Sequence, residues 1–162
     1  MSATGRPERE YRSAQREGDP MNTMNSALLA VNGTLMRGLE LNPNLLKVGA
    51  TFVREDMTDA CYRLWSIDDR HPAMLRTPGQ GTRVVVELWD VPLDGLAQVL
   101  MAEPPGLAIG KVVLQDGSVV LGVLGEPFLC EGKREITAFG GWRAYVKERE
   151  REATQTAGGR KP

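Results

Sequence analysis

Ile136-Thr137-Ala138-Phe139-Gly140-Gly141-Trp142-Arg143-Ala144-Tyr145 packs two adjacent glycines, three aromatic residues and an arginine into ten positions, just ahead of a charged tail. Adjacent glycines let the backbone turn where a Cβ would clash and let another group come close. Trp, Arg and Tyr add a flat apolar wall that carries hydrogen-bond donors. A terminal strand or helix needs none of this, so the segment is expected to close a cavity or to dock on a partner.

Upstream, most of the signals are strands. Ala27–Val31 is a short apolar run that ends in the loop Asn32-Gly33-Thr34-Leu35-Met36-Arg37-Gly38. Asn42 before Pro43 predicts an N-cap with proline at the first helical position, opening a short helix through Lys47. Strands are expected over 50–54 and 61–67. The clearest lies over 82–89, where Val84, Val86 and Leu88 alternate with Arg83, Val85 and Glu87. Pro92-Leu93-Asp94 opens a helix to about Ala102, with Leu93, Leu96, Ala97 and Leu100 on one face. Asp116-Gly117 between two apolar runs predicts a hairpin. This pattern gives an α+β fold class: a small mixed, largely antiparallel β-barrel with two or three helices, its mouth loops carrying any site. The barrel domain is expected over 26–147. Residues 1–25 are polar and aperiodic and read as a disordered leader, in which Met21 and Met24 are alternative start codons. Over 148–162 a charged helical extension is expected to give way to disorder from Thr154.

The chain has 162 residues, a formal net charge of −1 and 41% hydrophobic residues, which suits one domain. That charge balance argues against a nucleic-acid partner. No apolar run approaches the roughly 20 residues of a membrane helix, and the N-terminus lacks an apolar signal region, so a cytoplasmic location is expected. Cys61 and Cys130 are too few for a disulfide scaffold and read as core residues. With a single histidine, His71, no metal site is expected, and nothing calls for a cofactor.

No self-sufficient catalytic motif occurs. The nucleophile elbow Gly-x-Ser-x-Gly is absent. Gly106-Leu107-Ala108-Ile109-Gly110-Lys111-Val112 is one residue short of a phosphate loop, and Val112 stands where magnesium would need a hydroxyl. The loop Asn32-Gly33-Thr34-Leu35-Met36 is a better candidate, because a strand ending in glycine exposes successive N–H groups to a carboxylate or carbonyl oxygen. Its bland alternative is a tight turn. Glu87, Glu103 and Glu126 are the candidate acids or bases. Glu87, mid-strand among valines, also fits a structural ion pair with Arg83 or Arg63. Arg76 and Arg143 are candidate carboxylate binders, Trp142 a candidate wall, and His71 reads as an exposed loop residue, with a place at the barrel mouth as the alternative.

Together these strings resemble a known family. Leu29-Ala30-Val31-Asn32-Gly33-Thr34-Leu35-Met36-Arg37-Gly38, Tyr62-Arg63-Leu64-Trp65, Val86-Glu87-Leu88-Trp89 and the closing segment follow the order of the allophanate hydrolase C-terminal domain. The resemblance spans about Ala27 to Val146. It implies a fold similar to the gamma-glutamyl cyclotransferases, which place substrate over a Gly-Ser/Thr-Leu loop and rely on a Glu near the end of the helix after the central strand. It implies a small carboxylated amide or urea derivative as ligand, with carbamate decarboxylation as the activity. A separately encoded amidase is the implied protein partner, since the chain reads as a stand-alone version of the domain. Cyclotransferase-like chemistry and a non-catalytic partner role are the alternatives. Family members tend to carry Gly-Ala-His-Leu in the opening loop; here apolar Leu35 replaces that imidazole. The stretch matching the cyclotransferase Glu reads Ala97-Gln98-Val99-Leu100, with Glu103 about one turn later.

Overall fold

The computed structural model describes residues 25–159. The expected leader lies outside them except for its last residue. Element order is β1 (Ser26–Val31), α1 (Asn42–Lys47), β2 (Thr51–Met57), β3 (Tyr62–Ile67), β4 (His71–Arg76), β5 (Val85–Pro92), α2 (Leu93–Ala102), β6 (Leu107–Val113), β7 (Val119–Gly125), β8 (Arg134–Glu135) and α3 (Trp142–Gly158). A five-stranded sheet runs β2-β5-β1-β7-β6, and a three-stranded one runs β4-β3-β8. Only β1 and β7 pair in parallel, with Leu29 opposite Leu121 and Ala30 opposite Gly122. The α+β class and the mixed, largely antiparallel pairing are therefore as read. The barrel is looser than expected, because both sheets stay open and β8 is too short to extend the second sheet far.

β1 and β5 form the centre. They pair antiparallel from Ser26–Pro92 to Val31–Glu87, and β2 covers the other side of β5. This central position explains why the alternation over 82–89 breaks down. Val86, Glu87 and Leu88 are all fully buried and Trp89 nearly so, because β5 is packed on both faces. The strand also starts later and ends later than expected, at Val85 and Pro92.

The other differences are local. The cap of α1 is Leu41, not Asn42; the Asn42 side chain instead donates to the Leu35 carbonyl at 2.9 Å. α2 buries Gly95 and Val99 and leaves Leu93 49% exposed. The cause is a notch: a Cβ on Gly95 would lie 2.6 Å from Val48 Cβ, so the helix docks on its glycine side. His71 begins strand β4 and is buried. α3 continues to Gly158, past the expected fraying point. Glu148 pairs with Arg151, and Thr154 and Thr156 donate back to the carbonyls of Glu150 and Glu152, which supports this exposed segment. Cys61 and Cys130 are free thiols, and burial pushes Cys130 up to about 11. No described helix is long and apolar enough to cross a membrane.

Candidate functional site

Where β1 ends, the chain turns sharply and its carbonyls are tied off one by one. Gly33 O accepts from Met36 N at 3.0 Å, Thr34 O from Leu41 N at 2.9 Å, and Leu35 O from the Asn42 side chain. Asn32 Nδ2 donates to Val123 O at 2.9 Å, fastening the loop to β7. The amides of Gly33, Thr34 and Leu35 donate to no acceptor among the described residues. A run of free N–H groups of this kind favours an anionic or carbonyl oxygen.

Those residues line a cleft together with Asn32, His71, Pro72, Glu103, Leu107 and Val123. The cleft is shallow, with about 10 Å³ of room for water-sized groups. It thus takes roughly one water or one small functional group. Gly33 is required here by crowding rather than by its backbone angles, since a Cβ would lie 2.5 Å from Pro72 Cδ. Gly33→Ala is expected to shift the loop off β4, costing about 1–3 kcal/mol of stability, as overpacking does. Urea denaturation measures the cost. A stability unchanged within error would show that the contact relaxes freely.

Glu103 follows the last turn of α2 and reaches into this cleft. Its Oε1 is sealed from solvent and meets no hydrogen-bonding partner among the described residues. Burial without a compensating charge raises its pKa to about 7. A carboxyl in that state can give or take a proton near neutrality. Its extended backbone (φ −70°, ψ 152°) leaves the helix at this point.

The remaining candidates lie elsewhere. Glu87 is at the centre of a polar knot. Its Oε2 accepts from Arg37 N at 2.9 Å and Trp89 Nε1 at 3.1 Å; its Oε1 accepts from Arg37 Nε and Arg143 Nη2, each at 3.1 Å. Burial pushes its pKa up, but the bonds from Arg37, Trp89 and Arg143 outweigh that and leave it lowered. The partners are thus Arg37 and Arg143, not Arg83 or Arg63; Arg63 instead pairs with Glu135 at 2.7 Å. Met36, Trp142 and Arg143 line a separate hollow of about 210 Å³, which Glu55 and Val85 complete. The opening loop and Arg143 therefore do not share one cavity, and no arginine lines the cleft. Glu126 is exposed beyond the end of β7. Arg76 is exposed at the far end of β4 from His71, roughly 17 Å along the strand. Among the described residues no three His, Cys, Asp or Glu side chains gather to hold a metal.

Of the two places the sequence allowed His71, an exposed loop or the barrel mouth, the structure has it in the cleft, and Asn42 as a loop fastener was not foreseen. An available signal for His71 was its place before the apolar run Pro72-Ala73-Met74-Leu75, which reads as a strand start.

A mixed α+β domain whose central strand ends in a glycine loop, faced by a buried carboxyl, is the class these features define. The chain belongs to the allophanate hydrolase C-terminal domain family, whose match covers residues 27–147. The urea amidolyase of Lachancea kluyveri is 30% identical over 141 residues, which is 80% of this chain and 7% of that protein. The chain thus spans only a small part of the curated relatives it matches. The crystal structure of a uropathogenic E. coli-specific protein is 64% identical, with a TM-score of 0.75, covering 76% of this chain and 98% of that one. An allophanate hydrolase structure from Kluyveromyces lactis is 30% identical, with a TM-score of 0.74 over 82% of this chain and 23% of that one.

Proposed function

We propose that the chain binds a small carboxylated amide or urea derivative in the loop cleft, with Glu103 as the proton-transfer group. The observation that carries this reading is the buried, unpartnered Glu103 carboxyl beside the free amides of Gly33–Leu35. The loop amides would hold the ligand carboxylate or carbonyl. The cleft has room for one small head group only, so the rest of the ligand would lie at its open mouth.

The reaction this arrangement suits is carbamate decarboxylation, consistent with membership of a family named for allophanate hydrolase. In N-carboxycarbamate a C–N bond breaks and CO2 leaves. The electron pair left on nitrogen takes the proton of the Glu103 carboxyl, and solvent restores that proton. The apolar side chains of Leu35, Leu107 and Val123 would favour loss of charge from the leaving carboxylate.

The test is CO2 release from freshly generated N-carboxycarbamate. The chain is expected to accelerate release over buffer. Glu103→Gln is expected to reduce that acceleration by about 10²-fold or more, the usual contribution of a general acid. A rate equal to buffer would remove the decarboxylation reading. A Glu103→Gln rate equal to wild type would remove Glu103 from the chemistry.

A further inference from the structure

Strand β4 brings into the cleft a side chain that the reaction above leaves idle. His71 is the only histidine of the chain, is 8% exposed, and lines the cleft with Gly33, Leu35 and Glu103. Its Nδ1 lies 3.1 Å from the Pro72 carbonyl oxygen. A carbonyl oxygen only accepts, so Nδ1 carries the proton of the neutral ring. Nε2 is then a lone pair, and, with no donor among the described residues, it keeps contact with solvent. The free imidazole side chain favours the opposite tautomer, so the backbone of β4 holds His71 in its less common form.

The cleft thus offers unlike groups to a ligand. Free N–H groups come from the opening loop, a carboxyl that can donate comes from Glu103, and a pure acceptor comes from His71. A carboxylate oxygen against Nε2 would set two lone pairs face to face; an amide or ureido N–H would satisfy that nitrogen.

We propose that His71 is a specificity-determining residue of this cleft, its Nε2 accepting an N–H of the ligand so that amides, ureas and carbamates are selected over analogues of the same shape that carry no N–H. The inference rests on the small amide or urea ligand proposed above and names the atom that reads it. A ligand seated against Nε2 shuts it off from solvent, so an analogue lacking the N–H would leave that nitrogen unpaired.

The experiment uses the full chain labelled with ¹⁵N and a long-range ¹H–¹⁵N spectrum, in which a lone histidine needs no assignment. The probes are malonamate, with one carboxylate and one amide, and malonate, with two carboxylates. Free protein at pH 8 is expected to show the Nδ1–H tautomer. Malonamate is expected to move the Nε2 resonance and to bind at least tenfold more tightly than malonate. In His71→Leu the two probes are expected to bind within about twofold of each other, as loss of one discriminating hydrogen bond implies. An Nε2–H tautomer in the free wild-type protein would overturn the proposal even if the variant failed to fold. Equal binding of both probes, with the Gly33 and Thr34 amides shifting, would overturn the selection by His71 and leave the cleft as a ligand site. Neither probe reaching the cleft would remove the ligand reading and this inference with it.

Discussion

Glu103→Gln is expected to make the protein more stable above neutral pH while weakening the decarboxylation proposed for it. The Glu103 carboxyl has its pKa raised by burial to about 7, from 4.5 in the unfolded chain. Between those values the folded state holds a proton that the unfolded state has released, so stability falls as pH rises through that window. The contribution is fully present below pH 4.5 and is lost above about 7. Each pKa unit is worth about 1.4 kcal/mol, which puts the loss at up to about 3 kcal/mol. Glutamine carries no charge to bury and removes this pH dependence. Urea unfolding at pH 5 and pH 8 measures both. Wild type and Glu103→Gln are expected to lie close at pH 5 and to separate at pH 8, with the variant the more stable. Parallel pH curves for the two proteins would show that Glu103 ionises normally, and the proton-transfer role would fall with that result.

The second large effect concerns Glu87, where the sign is reversed. Its carboxylate is fully buried and accepts from two arginines, one backbone amide and one indole. Glu87→Ala leaves those donors facing a void and is expected to cost about 3–5 kcal/mol, as loss of one partner in a buried ion pair does. Arg143→Ala removes one of the four bonds from a half-exposed side chain and is expected to cost about 1–2 kcal/mol. Because the folded pKa is lowered, the Glu87 contribution is complete above the unfolded value of 4.5 and is lost as pH falls through the lower folded pKa. The gap between wild type and Glu87→Ala should therefore narrow in acid. Chemical denaturation at pH 7 and pH 3 checks this. A cost below about 1 kcal/mol at pH 7 would mean that the knot contributes no more than one ordinary hydrogen bond.

Together the two carboxyls show what the chain alone disclosed. Both were legible as candidates, and sequence placed each near the right element. Which one is a satisfied structural anion and which one is a lone acid depended on partners far away in the sequence. Glu87 is answered by Arg37 and Arg143, fifty and fifty-six positions distant, while Glu103 is answered by none of the described residues. The closing segment behaves in the same way. Its glycines and Trp142 do form a cavity wall, as their composition implied, but the cavity is not the one that the opening loop lines.

Local signals were strongest where chain chemistry acts over a few residues. The Asp116-Gly117 turn, the Pro92 helix start and the apolar run of β1 all lie where their residues predict, with Gly117 at φ 84°. They were weakest where two faces of one element are buried, as in β5, or where a glycine notch rotated a helix, as in α2. Periodicity reports one buried apolar face; β5 has two, and the buried face of α2 is centred on Gly95, which carries no apolar signal.

The sequence by itself determined the fold class, the family resemblance and the opening loop as a candidate site. These follow from short-range patterns and from an ordered set of strings, which survive without knowledge of contacts. Only the tertiary structure decided that His71 enters the cleft, that Glu103 faces the loop, and that Arg143 does not. Those outcomes depend on how β4, α2 and α3 pack around β1, and burial and pairing are properties of that packing rather than of any one segment.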